Sequence, residues 1–168
     1  MLLAQPSPPP GGAPARPIAA TARSDARAAL KNGQADRAFG LLLAGTRATP
    51  RGPAVELQAI AELCSIAREL ESSEPGAGRA VALTARTEGL RVLPRLSRRD
   101  AAALESHLGE LHEGFLSDRS RARAHYQAAL GLDASRRSAR EGLARLNRLE
   151  ALLQSRARDS ATLRRRNP

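Results

Sequence analysis

The side chains that could do chemistry in this 168-residue chain are few and poorly grouped. Three histidines, His107, His112 and His125, raise the question of metal binding. His107 and His112 stand five residues apart, so on one helix they point roughly 140° away from each other, unlike the four-residue pair of a zinc-binding helix. His125 would have to converge from the next helix, and no Asp or Cys completes a set. Glu105, Glu110 and Glu113 with His107 make a small acidic patch, which a solvated helix face explains equally well. Cys64 is the only cysteine, which rules out an intramolecular disulfide and a multi-cysteine metal site. Its neighbours Leu63 and Ile66 follow an apolar helical pattern, so a buried, inert thiol is expected rather than a nucleophile. Gly76-Ala77-Gly78 follows Ser and Glu residues and no strand, unlike a phosphate-binding loop. The expectation is a protein without catalytic residues, metal ligands or cofactor: not an enzyme.

Composition points to the elements that must carry whatever binding surface exists. Ala (34) and Leu (25) dominate, while Ile and Val total six and the aromatics three. So few β-branched and aromatic side chains cannot populate a sheet, whereas Ala and Leu favour helix. The longest apolar stretch, Ala38 to Gly45, has eight residues, far short of the ~20 that span a bilayer.

Residues 1–16 hold five prolines and two glycines and read as a disordered Pro-rich leader. Residues 158–168 are polar, end in Arg164-Arg165-Arg166 and read as a disordered basic tail. The start, Met1 to Gln5, lacks a basic segment and a full apolar run, so as written it is no signal peptide and a cytoplasmic location is expected. It does resemble the end of such a signal. Were one encoded upstream of Met1, the cell envelope or periplasm would be the alternative.

Between the tails, residues 17–157 read as one helical domain. Ile18, Ala22, Ala26, Ala29 and Leu30 share a face, and Asn32-Gly33 ends that helix. A second helix starts at Ala35 and stops before Pro50; a third begins near Pro53. Residues 72–78 form a loop, the weakest point of the domain, before a fourth helix that ends at Pro94. Ser97-x-x-Asp100 is a capping-box-like start for a fifth helix bearing Leu104, Leu108, Leu111 and Phe115. Ser117 or Asp118 caps a sixth, with Ala122, Tyr126 and Ala129. Ser135 starts a seventh, striped by Ala139, Leu143, Leu146, Leu149 and Leu153.

Intervals of four, three and five residues connect Ala38, Leu42, Gly45 and Pro50, and again Ala122, Tyr126, Ala129 and Ala134. They also connect Ala82, Arg86, Gly89 and Pro94, with Arg86 where an apolar filler belongs. Leu108-Gly109 lies upstream of the third copy. These residues resemble the tetratricopeptide repeat, with Leu-Gly on a first helix and small residues plus an aromatic on a second. The resemblance covers about Ala19 to Leu153. The copies stand 44 and 40 residues apart rather than the family's 34, so longer first helices or loops are expected, and the large aromatic near the start of each first helix is absent. An ordinary Ala-rich bundle is the competing all-α architecture.

The resemblance implies an all-α, right-handed helical-repeat solenoid of about three helix-turn-helix pairs plus a C-terminal capping helix. It further implies a non-enzymatic scaffold that binds a peptide or partner protein on its concave face. Transferred to this chain, that face presents Arg23, Arg27 and Lys31 from the first repeat and Ser106, His107, Glu110 and Glu113 from the third. Arg23 and Arg27 suit an acidic partner. The chain carries +10, but residues 116–168 alone carry 13 basic and five acidic side chains. Arg137, Arg140, Arg145 and Arg148 lie opposite the apolar stripe of the seventh helix and are expected to form a basic ridge. The alternative function is therefore a basic helical nucleic-acid-binding protein acting through this region. An Arg:Lys ratio of 26 to one suggests a GC-rich coding sequence, and no aromatic stacking platform is present, which favours the scaffold.

Overall fold

The structure, a computed structural model, describes residues 18–45 and 52–166, the last eight of them as helical backbone only. The leader at 1–16 and the helix stop at Pro50 lie outside the described residues. The fold is all-α: α1 (Ala20–Lys31), α2 (Ala35–Gly45), α3 (Pro53–Ser73), α4 (Gly78–Val92), α5 (Arg98–Gly114), α6 (Arg119–Leu132) and α7 (Arg137–Arg166), with one 3-10 turn at Leu93–Arg95. Among the described residues there is no strand.

Local signals set most boundaries. After α1, Gly33 adopts φ 72°, and the N–H groups of Gly33 and Gln34 return to the carbonyls of Leu30 and Ala29, both at 2.9 Å. Ser97 caps α5 by accepting the Asp100 N–H at 3.2 Å, and Asp118 caps α6 by accepting the Arg121 N–H at 3.0 Å. The turn between α5 and α6 is absorbed by Ser117, whose φ of 53° is unusual for a residue with a side chain. The α3–α4 loop is shorter than expected, because Ser72 and Ser73 belong to α3. It is also braced: the two oxygens of Glu71 each accept a backbone N–H, from Gly76 and Gly78, at 2.9 Å.

The heaviest packing lies within the consecutive pairs α1/α2, α3/α4 and α5/α6. Between pairs, α2 meets α3 and α4, both of these meet α5, and α7 closes on α6 and α5. None of the substantial contacts joins α1 or α2 to α5, α6 or α7. First helices are long where the copy spacing asked for length: α3 has 21 residues and α5 has 17, against 12 in α1. In the second copy Ala82 and Gly89 face inward as the repeat intervals require, but Ala85 fills the interior and Arg86 is only half-buried.

Small residues make these pairs close. A Cβ on Gly45 would collide with that of Ala22, and one on Gly78 would meet the Phe115 ring at 2.5 Å. The tightest case is Tyr126, fully buried on α6. A Cβ on Gly109 of α5 would stand 2.6 Å from its ring, and one on Gly142 of α7 would overlap the ring's other edge. Tyr126 joins Ala122, Ala129, Ala139 and Leu146 in a core separate from the larger one spanning α1 to α5.

At the C-terminus the segment expected to be a disordered tail is helical, since α7 continues to Arg166. The segment holds Ala, Leu and four Arg beside the weaker helix formers Asp159, Ser160 and Thr162, and it meets no glycine or proline before Pro168 to stop propagation. The α7 stripe is buried only at Ala139 and Leu146, and its distal leucines project into solvent.

The clamp around Tyr126 makes a counter-intuitive prediction. Gly142→Ala should destabilise the protein by about 1–3 kcal/mol through overpacking, although Ala is the better helix former by ~1 kcal/mol. Urea unfolding followed by circular dichroism measures the difference; a stabilised variant would show that the ring is not held there.

Candidate functional site

The first helix of each pair, and then α7, are linked edge to edge by ion pairs. Between α1 and α3, Arg23 reaches Glu62 at 2.6 Å and Glu69 at 2.5 Å, and Arg27 also pairs with Glu69. Between α3 and α5, Arg68 donates to Glu110 at 3.0 Å. Between α5 and α7, Arg145 donates to both oxygens of Glu113, at 3.1 and 2.9 Å. Tyr126 donates to the same carboxylate at 2.7 Å. Burial acts to raise the Glu113 and Glu110 carboxyls, but their partners outweigh it and hold both below the usual carboxylate range: Arg145 and Tyr126 for Glu113, His107 and Arg68 for Glu110. Burial and then the Glu113 carboxylate push the Tyr126 phenol upward, so it stays a donor.

Where α3, α5 and α7 meet, this face sinks into a depression of about 580 Å³. Cys64, Leu111 and Phe115 supply apolar lining; Arg68, Glu71, Glu110, Glu113 and Arg145 supply charged lining. Every one of those charged groups already has a partner within the chain. Burial pushes the Cys64 thiol up to about 12, so it lines the depression as a small apolar group rather than a nucleophile.

The residues expected to meet a partner therefore divide. Glu110 and Glu113 line the depression, and His107 stands beside Glu110, with Nδ1 3.6 Å from its carboxylate. Arg23 and Arg27 are half-exposed but committed to Glu62 and Glu69. Lys31 is exposed at the end of α1. Ser106 is a correction: it is fully buried, because α5 packs against α3, α4, α6 and α7 and has little free surface. Of the expected basic ridge, Arg137 pairs with Glu141 at 2.6 Å, Arg140 donates to the Ser135 carbonyl at 2.9 Å, and Arg148 is exposed. Arg145 is exposed as well, with its guanidinium turned onto Glu113 of α5. Arg68, Glu71, Glu62 and Glu69 had no sequence signal, because their partners other than those of Glu71 lie 39 or more residues away.

The histidines also sort by face. His112 is 1% exposed and stacks on His125, with ring centroids 5.2 Å apart and planes at 21°. His125 Nδ1 lies 2.7 Å from Glu105, whereas both ring nitrogens of His112 lack a hydrogen-bond partner. The convergence of His125 on His112 is thus a stack. Among the described residues no group of three His, Cys, Asp or Glu side chains is placed to hold a metal ion.

Burial first, then the neighbouring His125, Arg86 and Arg121, lower the His112 pKa, against an opposing pull from Asp118. The unfolded chain therefore binds a proton at His112 before the folded one does. The stability this preserves is complete above the unfolded value of ~6.5 and is lost as pH falls from there toward the folded value. Unfolding free energies should stay level from pH 8 to 7 and decline toward pH 5.5, with a shallower decline in His112→Phe. Equal slopes in the two proteins would remove His112 as the source.

No protein-family model, curated protein or solved structure matches this chain, so the site's geometry has to supply the functional reading.

Proposed function

We propose that this protein is a non-enzymatic scaffold of the tetratricopeptide type, whose stacked helix pairs receive a segment of a partner protein in the depression between α3, α5 and α7. The observation that carries the reading is that depression: an apolar lining, enclosed by charges that already have partners, on the side where the first helices line up. Packing that runs from each pair to the next supports an open solenoid over a closed bundle. The inward-facing small residues at the repeat intervals support the same architecture.

The proposal moves the contact surface relative to the resemblance. Arg23 and Arg27 would have to abandon Glu62 and Glu69 to take an acidic peptide, which removes most of the gain. In the depression a ligand instead buries an apolar side chain, at roughly 25 cal/mol per Å² removed from water. Arg68 and Arg145 at its edge can share their remaining donors with the ligand backbone. The matching partner is an extended or helical segment with one large apolar anchor.

Gly114 offers a clean test. It lines the depression, yet a Cβ there meets nothing within 4 Å, so Gly114→Leu should fill the space without disturbing the fold. Gly40 on α2 is equally open and lies away from the depression. Peptides selected by display against the full chain should carry an apolar anchor. They should lose about tenfold or more in affinity, ~1.4 kcal/mol, with Gly114→Leu and retain it with Gly40→Leu. Selected peptides indifferent to both substitutions, or a selection that yields no binder, would refute the reading.

A further inference from the structure

A second surface lies at the other edge of the C-terminal pair. At 1.5 Å per residue α7 is about 45 Å long, and the buried side chains described on it lie in its first third. Ala139 and Leu146 are buried and Leu143 half-buried. The same stripe then continues with Leu149, Leu152 and Leu153 at 36%, 61% and 45% exposure, three of the five exposed large apolar side chains among the described residues. Leu146, Leu149 and Leu153 recur at three and four residues, the seam spacing by which one helix packs on another. Beside this seam, α6 and α7 enclose a groove of about 340 Å³ that Leu146 and Leu153 line together with Arg119 and Arg123.

Charge decides what fits. Arg123 donates to Asn147 at 2.7 Å and to Glu150 at 2.9 Å, which cancels the one carboxylate in the groove. Arg119 and Arg148 flank the seam with no ion pair among the described residues. Residues 116–168 as a whole carry 13 basic against five acidic side chains. A second copy would set one such surface against another and meet repulsion. A helix with acidic flanks meets the opposite.

We infer that the Leu146–Leu153 seam of α7, with the groove between α6 and α7, docks an amphipathic helix of a partner protein whose apolar seam is flanked by Asp and Glu. The seam supplies burial, and the flanking Arg residues set orientation and reject basic helices. This surface is separate from the depression on the α3/α5/α7 face, and neither proposal rests on the other.

The test uses the full chain and two designed helical peptides that share a leucine seam and differ only in carrying Glu or Lys on the flanks. The Glu peptide should bind at least about tenfold tighter than the Lys peptide and weaken as salt rises. The combined variant Leu149→Gln, Leu152→Gln, Leu153→Gln should lose about tenfold or more, with unchanged urea unfolding because these side chains are exposed. Gly114→Leu should leave the binding intact. Equal binding of the two peptides, or none, overturns the inference. So does a dimer of the unliganded chain that the triple variant dissolves, which would assign the seam to a second copy. A duplex oligonucleotide that binds wild type and triple variant alike, while the Glu peptide does not bind, would assign the surface to nucleic acid.

Discussion

The Tyr126 ring is the constraint on which the C-terminal half depends. It is the largest side chain buried in a core otherwise made of Ala122, Ala129, Ala139 and Leu146, and two glycines from different helices close on it. Its position on α6 fixes how near α5 can come at Gly109 and how near α7 can come at Gly142. Its hydroxyl cannot enter an apolar core without a partner, because an unpaired buried hydroxyl costs about 1–3 kcal/mol. That requirement places Glu113 of α5 at the ring's edge, and Glu113 in turn draws Arg145 of α7. One ring thereby sets three helices, and the carboxylate that satisfies it also lines the depression. The candidate site and the core share a residue, so the site inherits the rigidity of the clamp.

The ion pairs running from α1 to α7 have a different role. Their side chains are largely half-exposed, and such pairs contribute about 0–1 kcal/mol each, so they do not hold the helices together. Burial of Leu63, Ile66, Leu104 and Leu108 does that. What the pairs do is neutralise the face. Arg23, Arg27, Arg68 and Arg145 would otherwise form a basic strip, and Glu62, Glu69, Glu110 and Glu113 an acidic one. Interleaved, they leave a surface with little net field and an apolar depression, which selects ligands by shape and burial more than by charge.

What the sequence made legible follows the range of each signal. Helix ends at Asn32-Gly33, Ser97 and Asp118 are decided within three or four residues, and all three stand where capping chemistry put them. The inward positions Ala38, Leu42, Ala122, Tyr126 and Ala129 were readable because a helix repeats every 3.6 residues. Ser106 was misplaced because periodicity assigns one buried face, and α5 is enclosed on several sides by helices distant in sequence. The partner of Arg145 was hidden for a related reason. The angle of Arg145 on α7 is only moderately removed from the apolar stripe, and nothing local reveals that Glu113 waits across the gap. Glu71 is the instructive omission: its loop is local, but a carboxylate reaching forward five and seven residues belongs to no familiar capping pattern.

The fate of the C-terminal charge shows why net charge alone was a poor guide. Arg145 and Arg148 are three residues apart on one helix, yet one is held by a carboxylate and a phenol while the other stands in solvent. The difference is the end of the folded body. Up to Leu146 the stripe residues Ala139, Leu143 and Leu146 pack in the core with α6, and Arg145 reaches Glu113 of α5. Beyond Leu146 the leucines Leu149, Leu152 and Leu153 are exposed, and Arg148 makes no ion pair among the described residues. Helix propensity carries the backbone on, since Ala, Leu and Arg need no tertiary partner to remain helical once the helix is nucleated. The result is an exposed apolar seam with Arg148 beside it, open to a partner on both counts. A single acidic amphipathic helix meets the two together, whereas a second copy meets only the first and a nucleic acid only the second.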